Sequence, residues 1–334
     1  MLHRPCPVTT PALAAWLAIA ALAATVRADA PGGDVWLIST RRAVRCGEQR
    51  LVEQRISFWQ AAGDCWNNQS LDALQRIVRD DPRPMFVFIH GNRESLQSAI
   101  THAEAVRSKL ESSGRKYRLL IWAWPSDRVG RRQRPDVQLK HAYTPTQACY
   151  LADLLQLLDQ REEICLVGYS FGARIAVEAI ARLAANRNSA ASASRNDDGS
   201  AGVSRDSGVS GDSRDSGNSK RPARRIRLIL VAAALDAGDL SPQGRFAAAA
   251  REAAEITITR NRFDPALRFY PRMYGRRGPQ ALGYVGPCGG GQNLHVVDLS
   301  CAVGKTHAWV CYAAAIVPTI SFAPGPNHSL SATQ

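Results

Sequence analysis

Three patterns that would assign the chain to a class of protein are missing from its sequence. No two cysteines have Cys-x-x-Cys spacing and the histidines do not cluster with cysteine, which argues against a zinc site. No glycine-rich phosphate loop follows a strand, because Gly289-Gly290-Gly291 lacks the lysine and hydroxyl context. After the N-terminal segment, no apolar run approaches the length of a membrane-spanning helix. We therefore expect no metal and no nucleotide or flavin cofactor.

Residues 1–30 have the features of a secretory signal peptide. An apolar run at 12–24 follows Arg4, and Ala28-Asp29-Ala30 offers small residues at the spacing that a signal peptidase needs. We expect cleavage after Ala30 and a secreted, periplasmic or cell-envelope protein. An uncleaved segment that anchors the protein in a membrane is the alternative.

Export changes what the cysteines predict. Removal of the signal peptide leaves an odd number of them, so at least one thiol stays free or forms an intermolecular bond. In an oxidising compartment, Cys46–Cys65 and Cys288–Cys301 are plausible local disulfides. Cys165 lies in an apolar run and is expected to be a buried small hydrophobe.

The formal net charge is +13, and cleavage would leave about +12. Such a surface could attract nucleic acid, anionic glycans, acidic lipids or acidic substrates. No module of interleaved aromatic and basic residues is recognisable, so nucleic acid is not expected as a partner.

Short apolar runs alternate with segments of helical character. Because the runs are continuously apolar, they indicate parallel strands that are buried on both faces. We expect an α/β fold, a doubly wound, mostly parallel sheet with helices on both faces and right-handed crossovers. The expected strands are 35–40, a part of 50–59, 85–89, 119–124, 164–167, 226–232, 255–259 and 294–299. The expected helices are 71–78, 96–110, 147–158, 173–185 and 244–254.

One segment, residues 188–219, contains mostly Ser, Asp, Gly, Asn and Arg. It cannot bury enough apolar surface to offset its ordering entropy, so we expect it to be disordered. It joins a helix to the next parallel strand, which places it at the edge of the sheet opposite to the ligand-binding edge. We expect a single domain at 31–322 that this insertion interrupts, followed by a polar tail at 323–334.

The strongest motif is Gly168-Tyr169-Ser170-Phe171-Gly172, which an apolar strand precedes and a helix follows. This is the G-x-S-x-G nucleophile elbow, in which a strained turn exposes the serine hydroxyl above the sheet edge. The two glycines leave room for the turn, and the helix start brings positive dipole and free N–H groups to the reacting oxygen. Ser170 is the expected nucleophile.

His90-Gly91-Asn92 ends another apolar strand. This loop is suited to supply one backbone N–H of an oxyanion hole, from Gly91 or Asn92, and the N–H of Phe171 would supply the other. Each such donor lowers the barrier by about 3 kcal/mol in comparable sites. His90 itself is expected to support the loop and not to take part in the reaction.

Three segments together resemble the α/β-hydrolase superfamily, and in particular a poorly characterised bacterial branch of unknown function. They are 86–92 (FVFIHGN), 122–126 (WAWPS) and 168–172 (GYSFG). The branch also has a strand that ends near an aspartate, an Asn-x-x-Asp-x-x-Leu segment and a late histidine, which match Asp236, 261–267 and His307 here. The sequence departs from the branch at Tyr169, where His is common, and at Phe171, where a smaller residue or Met often sits. Both departures could reshape an acyl pocket.

The superfamily places its triad in the order Ser, acid, His. We expect His307 to be the base, since it follows a strand in a loop that contains Gly304. His295 lies within the strand and His328 in the tail. The resemblance makes Asp264 the acid that orients the histidine, and Asp236 is the alternative acid. Asp239 and Asp298 are weaker candidates.

Two expected loops at the catalytic edge are rich in arginine. The loop after Trp124 is expected to hold Arg128, Arg131, Arg132, Arg134 and Lys140, and the loop after Asp264 to hold Arg268, Arg272, Arg276 and Arg277. One hypothesis is that Arg128, Arg131, Arg268 and Arg272 border the substrate and favour an anionic one. A solvated basic rim is the alternative.

These motifs favour a serine hydrolase that cleaves a small-molecule or lipid-like carboxyl ester without a cofactor. A thioesterase, peptidase or acyltransferase would use the same chemistry, because the pocket decides the substrate. A hypothesis of another class is a non-catalytic α/β-hydrolase scaffold that binds an anionic surface or partner.

Overall fold

The computed structural model describes residues 33–43, 56–158, 163–197, 225–275 and 277–320. The expected signal peptide, the expected polar tail and much of the expected insertion lie outside these ranges. The strands are β1 (Gly33–Ser39), β2 (Ser57–Ala62), β3 (Cys65–Gln69), β4 (Met85–Ile89), β5 (Tyr117–Ala123), β6 (Ile164–Tyr169), β7 (Ile226–Val231), β8 (Glu255–Arg260) and β9 (Leu294–Asp298). The helices are α1 (Leu71–Asp80), α2 (Leu96–Ser112), α3 (Gln133–Leu157), α4 (Phe171–Asp197), α5 (Ala247–Glu252), α6 (Pro265–Arg268), α7 (Leu282–Val285), α8 (Ser300–Val303) and α9 (Trp309–Ile316).

Within these ranges the strands form one nine-stranded sheet in the order β3-β2-β1-β5-β4-β6-β7-β8-β9. The pairs from β1–β5 through to β8–β9 are parallel, and β2 and β3 are added as an antiparallel extension. Every residue of β4, β5, β6 and β7 is buried, as continuously apolar central strands require. The expected α/β fold with a mostly parallel sheet is therefore confirmed.

Crossover geometry places the helices on both faces of this sheet. The chain moves in one direction along the sheet from β4 to β5 and in the other from β6 to β7. Crossovers between parallel strands are right-handed in nearly all proteins, and with this strand order that rule puts the connecting helices α2 and α4 on opposite faces. Helix α3 packs against α4, and α9 packs against α2. All parallel strands end at one edge, so the loops that follow them meet there.

Two elements differ from the expectation. Strand β3 is missing from it, because its sequence CWNNQ is polar and the strand forms only as a partner of β2 at the sheet's edge. Helix α3 begins at Gln133, well before the expected 147, although it contains Pro145. Proline donates no N–H to the carbonyl four residues earlier, and the Thr144 hydroxyl donates to that carbonyl of His141 at 2.9 Å instead. Consequently Arg134 and Lys140 lie on a helix and not in a loop.

The ends of two further elements also differ. Helix α4 continues to Asp197, inside the range 188–219 that was expected to be a disordered insertion, and residues 198–224 lie outside the described part of the chain. Helix α5 covers 247–252 and is shorter than the expected 244–254.

The cysteine expectations have mixed outcomes. Cys165 is fully buried in β6, as expected. Cys288 and Cys301 are exposed free thiols, so the disulfide expected between them is not formed. The backbone N–H of Cys288 bonds to Ala237 O, whereas Cys301 lies in α8, so separate contacts hold the two segments. Cys46, the expected partner of the exposed thiol Cys65, lies outside the described residues.

An ion pair inside the sheet joins β1, β5 and α1. Arg118 of β5 is fully buried, and its Nε donates to Asp34 Oδ2 of β1 at 2.7 Å. The Nη2 of Arg118 also donates to the carbonyls of Ile77 and Asp81 at the end of α1. Trp36 Nε1 donates to the other oxygen of Asp34 at 2.7 Å. A buried cation is tolerated only with such partners.

We expect Asp34→Ala to lower the free energy of unfolding by about 3–5 kcal/mol, because it leaves the Arg118 guanidinium buried without its carboxylate. Urea unfolding followed by circular dichroism measures this loss. The matched control is Asp64→Ala in the exposed β2–β3 turn, which should change stability by less than about 0.5 kcal/mol. Equal effects of the two substitutions would contradict a structural role for the pair.

Candidate active site

Ser170 lies in the turn between β6 and α4, where the backbone is strained. Its φ of 55° is in the left-handed region that non-glycine residues rarely adopt. The Ser170 N–H donates to Val231 O at 2.9 Å, and its carbonyl accepts from Ala173 and Ala234. Neighbouring backbone therefore holds the strained turn, as a nucleophile elbow requires. The serine is 7% exposed, at the edge where the parallel strands end.

The two glycines of the motif allow backbone segments to approach closely. A Cβ at Gly172 would lie 2.0 Å from the carbonyl oxygen of Ile89. A Cβ at Gly168 would lie 2.6 Å from the Cα of Ala173. The start of α4 is thus pressed against the end of β4, and any larger residue at 172 would separate them.

The loop after β4 lies directly beside the serine. A Cβ at Gly91 would be 3.3 Å from Ser170 Cβ and 2.7 Å from the Tyr169 ring. The next residue, Asn92, accepts the N–H of Arg93 on its side-chain oxygen at 2.9 Å, and Arg93 has a positive φ of 64°. Phe171 is the first residue of α4, where backbone N–H groups have no partner within the helix. The three expected oxyanion residues therefore flank Ser170.

His90 supports this loop from beneath. Its side chain is fully buried, with Nδ1 2.9 Å from Gly91 O and Nε2 3.2 Å from the N–H of Trp124. The carbonyl can only accept and the Trp124 N–H can only donate, so Nδ1 carries the proton and the ring is neutral. Burial lowers the pKa of His90 to about 3, which keeps the ring neutral at physiological pH.

A serine, a histidine and an aspartate from three strand ends meet at this edge. His307 Nε2 lies 3.1 Å from Ser170 Oγ, and His307 Nδ1 lies 2.6 Å from Asp264 Oδ2. A carboxylate accepts hydrogen bonds, so Nδ1 carries the proton and Nε2 is free to accept the serine proton. This arrangement can activate a hydroxyl as a nucleophile.

Asp264 is fully buried, and both of its oxygens are satisfied. Oδ1 caps the short helix α6 by accepting the N–H groups of Ala266 and Leu267 at 2.9 and 3.0 Å. Oδ2 accepts from His307 and from the hydroxyl of Tyr312 at 2.6 Å. Burial first, and then the Asp264 charge, raise the pKa of Tyr312, so its hydroxyl keeps its proton and stays a donor.

The loop that carries His307 is held by three residues that had no expected role there. Asn261 donates from Nδ2 to Gly304 O at 2.9 Å, and Gly304 adopts a positive φ of 68°. The Tyr169 hydroxyl donates to the backbone carbonyl of His307. Tyr312 bonds Asp264 from α9. Asn261 lies in the quoted Asn-x-x-Asp-x-x-Leu segment and Tyr169 in the elbow, whereas no pattern in the sequence marks Tyr312.

The rival acids and the other histidine make different contacts. Asp236 accepts from the Tyr270 hydroxyl at 2.7 Å and lies 3.8 Å from Arg245. Asp239 pairs with Arg245 at 2.8 Å. Asp298 pairs with Arg260, and hydrogen bonds from Arg260 and Ser300 lower the pKa of its carboxyl. His295 is exposed on β9, and His328 lies outside the described residues. Asp264 is the carboxylate that contacts His307.

The four arginines of the expected rim are all exposed. Arg128 donates to the carbonyls of Gly130 and Arg131 at 3.1 Å. The Arg272 guanidinium lies 4.4 Å from the centroid of the Phe269 ring. Arg128 and Arg131 follow β5, and Arg268 and Arg272 follow β8, so all four lie at the edge of the sheet that holds Ser170. The contacts of Arg128 and Arg272 are local.

The described ranges contain no candidate metal cluster and no candidate membrane span. Within these ranges, no three His, Cys, Asp or Glu side chains come together in a way that could hold a metal ion. No helix in them combines the length and hydropathy that crossing a membrane demands.

Comparison with known proteins gives one finding. A family model described as "Alpha/beta hydrolase family" matches residues 86–325, which include most of β4, all of β5 to β9 and all three residues of the Ser170–His307–Asp264 chain. No significant match was found among curated proteins or among solved structures.

We expect Gly172→Ala to lower the melting temperature and the soluble yield, because the added methyl group must displace the backbone of β4. Overpacking of this kind costs about 1–3 kcal/mol, and differential scanning fluorimetry measures it. Gly238→Ala is the matched control, since a Cβ there would meet no atom within 4 Å. A Gly172→Ala protein as stable as this control would contradict the close approach.

Protonation of His90 predicts a loss of stability in acid. Its folded pKa of about 3 lies below its ordinary value of 6.5, so the unfolded chain binds the proton first. The stability is complete above about pH 6.5 and falls by about 1.4 kcal/mol per pH unit below it, until the folded pKa is reached. Urea unfolding between about pH 7 and about pH 5 should show a slope at least this steep, because burial also lowers the pKa of His102 and the pKa of His141 to about 4. His90→Gln should make the slope shallower and His295→Gln should leave it unchanged; identical slopes would refute the assignment.

Proposed function

The chain belongs to the alpha/beta hydrolase family, and from that premise we propose that it is a serine hydrolase that cleaves carboxyl esters through an acyl-enzyme intermediate on Ser170. The observation that carries the proposal is the hydrogen-bonded chain of Ser170, His307 and Asp264, with distances of 3.1 and 2.6 Å. Its other support is the strained turn that holds Ser170 at the edge of the sheet.

In the proposed reaction, Ser170 Oγ attacks the ester carbonyl carbon while its proton passes to His307 Nε2. The tetrahedral intermediate collapses, His307 delivers the proton to the departing alkoxide oxygen, and an acyl group remains on Ser170. Water then attacks the acyl carbon with His307 again as the base, which releases the acid and restores the hydroxyl. Asp264 fixes the His307 tautomer and stabilises the imidazolium that forms twice in the cycle.

The oxyanion would be stabilised by the N–H of Phe171 and an N–H from the Gly91–Asn92 loop. Both segments flank Ser170, and the neutral His90 holds the loop without adding a charge beneath it. Preset donors of this kind are worth about 3 kcal/mol each in acyl transfer. The positive end of the α4 dipole favours the same charge.

We also propose that the protein acts outside the cytoplasm after cleavage of residues 1–30. The support for this is the sequence of that segment, which has a basic start, an apolar run and Ala28-Asp29-Ala30.

The test is labelling of the purified protein with a fluorophosphonate probe, which reacts with activated serines. We expect Ser170 to be labelled and both Ser170→Ala and His307→Ala to lose the label, because one removes the nucleophile and the other its base. A folded wild-type protein that does not label, beside a serine hydrolase that does, would remove the catalytic proposal and favour the non-catalytic scaffold.

The acid is tested by a matched pair of substitutions. Asp264→Asn should lower kcat by about 10⁴-fold, because the amide no longer selects the reactive tautomer. Asp236 contacts Tyr270 and not His307, so the Asp236→Asn protein should keep most of the activity. A screen of short carboxyl esters and thioesters gives kcat for each variant, and it also separates esterase from thioesterase activity.

A further inference from the structure

A cavity of about 240 Å³ opens beside the ends of β1 and β5, against helix α3. This volume is well above the roughly 10–15 Å³ that a single water needs, so a small polar group fits. Its walls carry two cationic side chains, those of Arg41 and Lys140, together with the hydroxyl of Thr146. One carboxylate, Asp127, also lines it.

Lys140 brings to this cavity a buried ammonium group that has no hydrogen-bonded counter-ion in the part of the chain that the structure describes. The residue is 3% exposed, and its Nζ lies 5.3 Å from the centroid of the Tyr143 ring. Within the described residues, no hydrogen bond or ion pair engages this ammonium. The nearest acid along the helix, Asp136, is already occupied, because its two oxygens accept from Arg93 Nε and from the N–H of Val129, each at 2.8 Å. Burial lowers the pKa of Lys140, and the charges of Asp136 and Asp127 act in the opposite direction.

Arg41 adds a second donor to the same wall. Its Nη1 pairs with Asp127, which uses the one carboxylate of the lining, and its Nη2 donates to Glu94 O at 2.7 Å. Its Nε is buried and has no hydrogen-bond partner in the described part of the chain. The guanidinium is therefore held in place while its Nε–H has no acceptor among the described residues. Buried donors of this kind are costly unless something accepts from them.

We infer that this cavity binds an anionic group of the carboxylate or phosphate type, with Lys140 as the point charge and the Arg41 guanidinium as the second cation on the same wall. An oxyanion satisfies both groups at once, which a neutral apolar group cannot do. The exposed arginines of the rim are not required, because none of the four lines this cavity.

One wall of the cavity also supports the loop beside Ser170. Glu94, whose carbonyl binds Arg41, follows Gly91 and Asn92, and its N–H and carbonyl both bond to the hydroxyl of Ser126. The anion could be the acidic end of the ester that Ser170 cleaves, and in that case the inference rests on the proposed function. It could also be a separate small anion. The experiment has one arm for each source.

The first arm measures binding without turnover. Inorganic phosphate and acetate are titrated into the Ser170→Ala protein by calorimetry in Tris chloride. We expect one site for at least one of the two anions, and at least about 10-fold weaker binding when Lys140→Met is added, because a charged hydrogen bond is lost. Lys140→Arg keeps the charge and should keep measurable binding. Lys116→Met, an exposed lysine just before β5 at the opposite edge of the sheet, is the matched control and should bind as the parent does.

The second arm measures kcat/KM for two ester series that differ only in a terminal carboxylate or methyl group on the acyl chain. If the anion is part of the substrate, Lys140→Met should lower kcat/KM for the acidic series by about 10-fold and leave the neutral series unchanged. Binding in the first arm without this difference assigns the site to a separate anion.

The inference is overturned if the parent binds neither anion, or if Lys140→Met binds them as tightly as the parent with an unchanged circular dichroism spectrum. The first arm needs no enzymatic activity. An inactive wild-type protein would therefore contradict the proposed reaction, whereas the anion site would still be decided by the binding data.

Discussion

The buried carboxylate of Asp264 is the interaction on which the site depends. It accepts hydrogen bonds from the start of α6, from His307 and from Tyr312 in α9. A carboxylate that loses such partners in a fully buried position is strongly destabilising. The three segments therefore come together as a condition of folding, and the orientation of His307 towards Ser170 follows from the same contacts. Stability and site geometry share one set of hydrogen bonds.

Much of the fold could be predicted because the parallel strands are continuously apolar. Strand β4 matches its predicted range 85–89, and β6 and β7 lie close to theirs. Strand β3 could not be predicted, since its residues form a strand only through pairing with β2. The first half of α3 lies outside the predicted helix 147–158 and contains Pro145, and Thr144 satisfies the carbonyl that the proline leaves free. Both failures come from contacts that a local pattern does not contain.

The site could be predicted as far as motifs and topology reach. Ser170, Asp264 and His307 follow three strands that end at one edge, so strand order alone brings them near one another. Tyr312 was not predictable, because its hydroxyl reaches Asp264 through the packing of α9 and no spacing marks it. Lys140 stood in the sequence only as one of several basic residues after Trp124, and Arg41 had no expected role, whereas both line a cavity. Whether a cation is solvated or buried depends on where its side chain points, which composition does not encode.

The Tyr169 hydroxyl contacts the backbone of the residue whose side chain faces Ser170. Two consecutive residues of the elbow thus hold His307 at two points, one on its carbonyl and one on its ring. The distance between the Ser170 hydroxyl and the His307 imidazole is consequently fixed by these two local hydrogen bonds and not by the dimensions of the whole sheet. Thermal bending of the outer strands, or the insertion of residues in distant loops, can then occur without changing the distance between these two groups. A chain built in this way can diversify at its periphery while its reacting atoms keep their spacing.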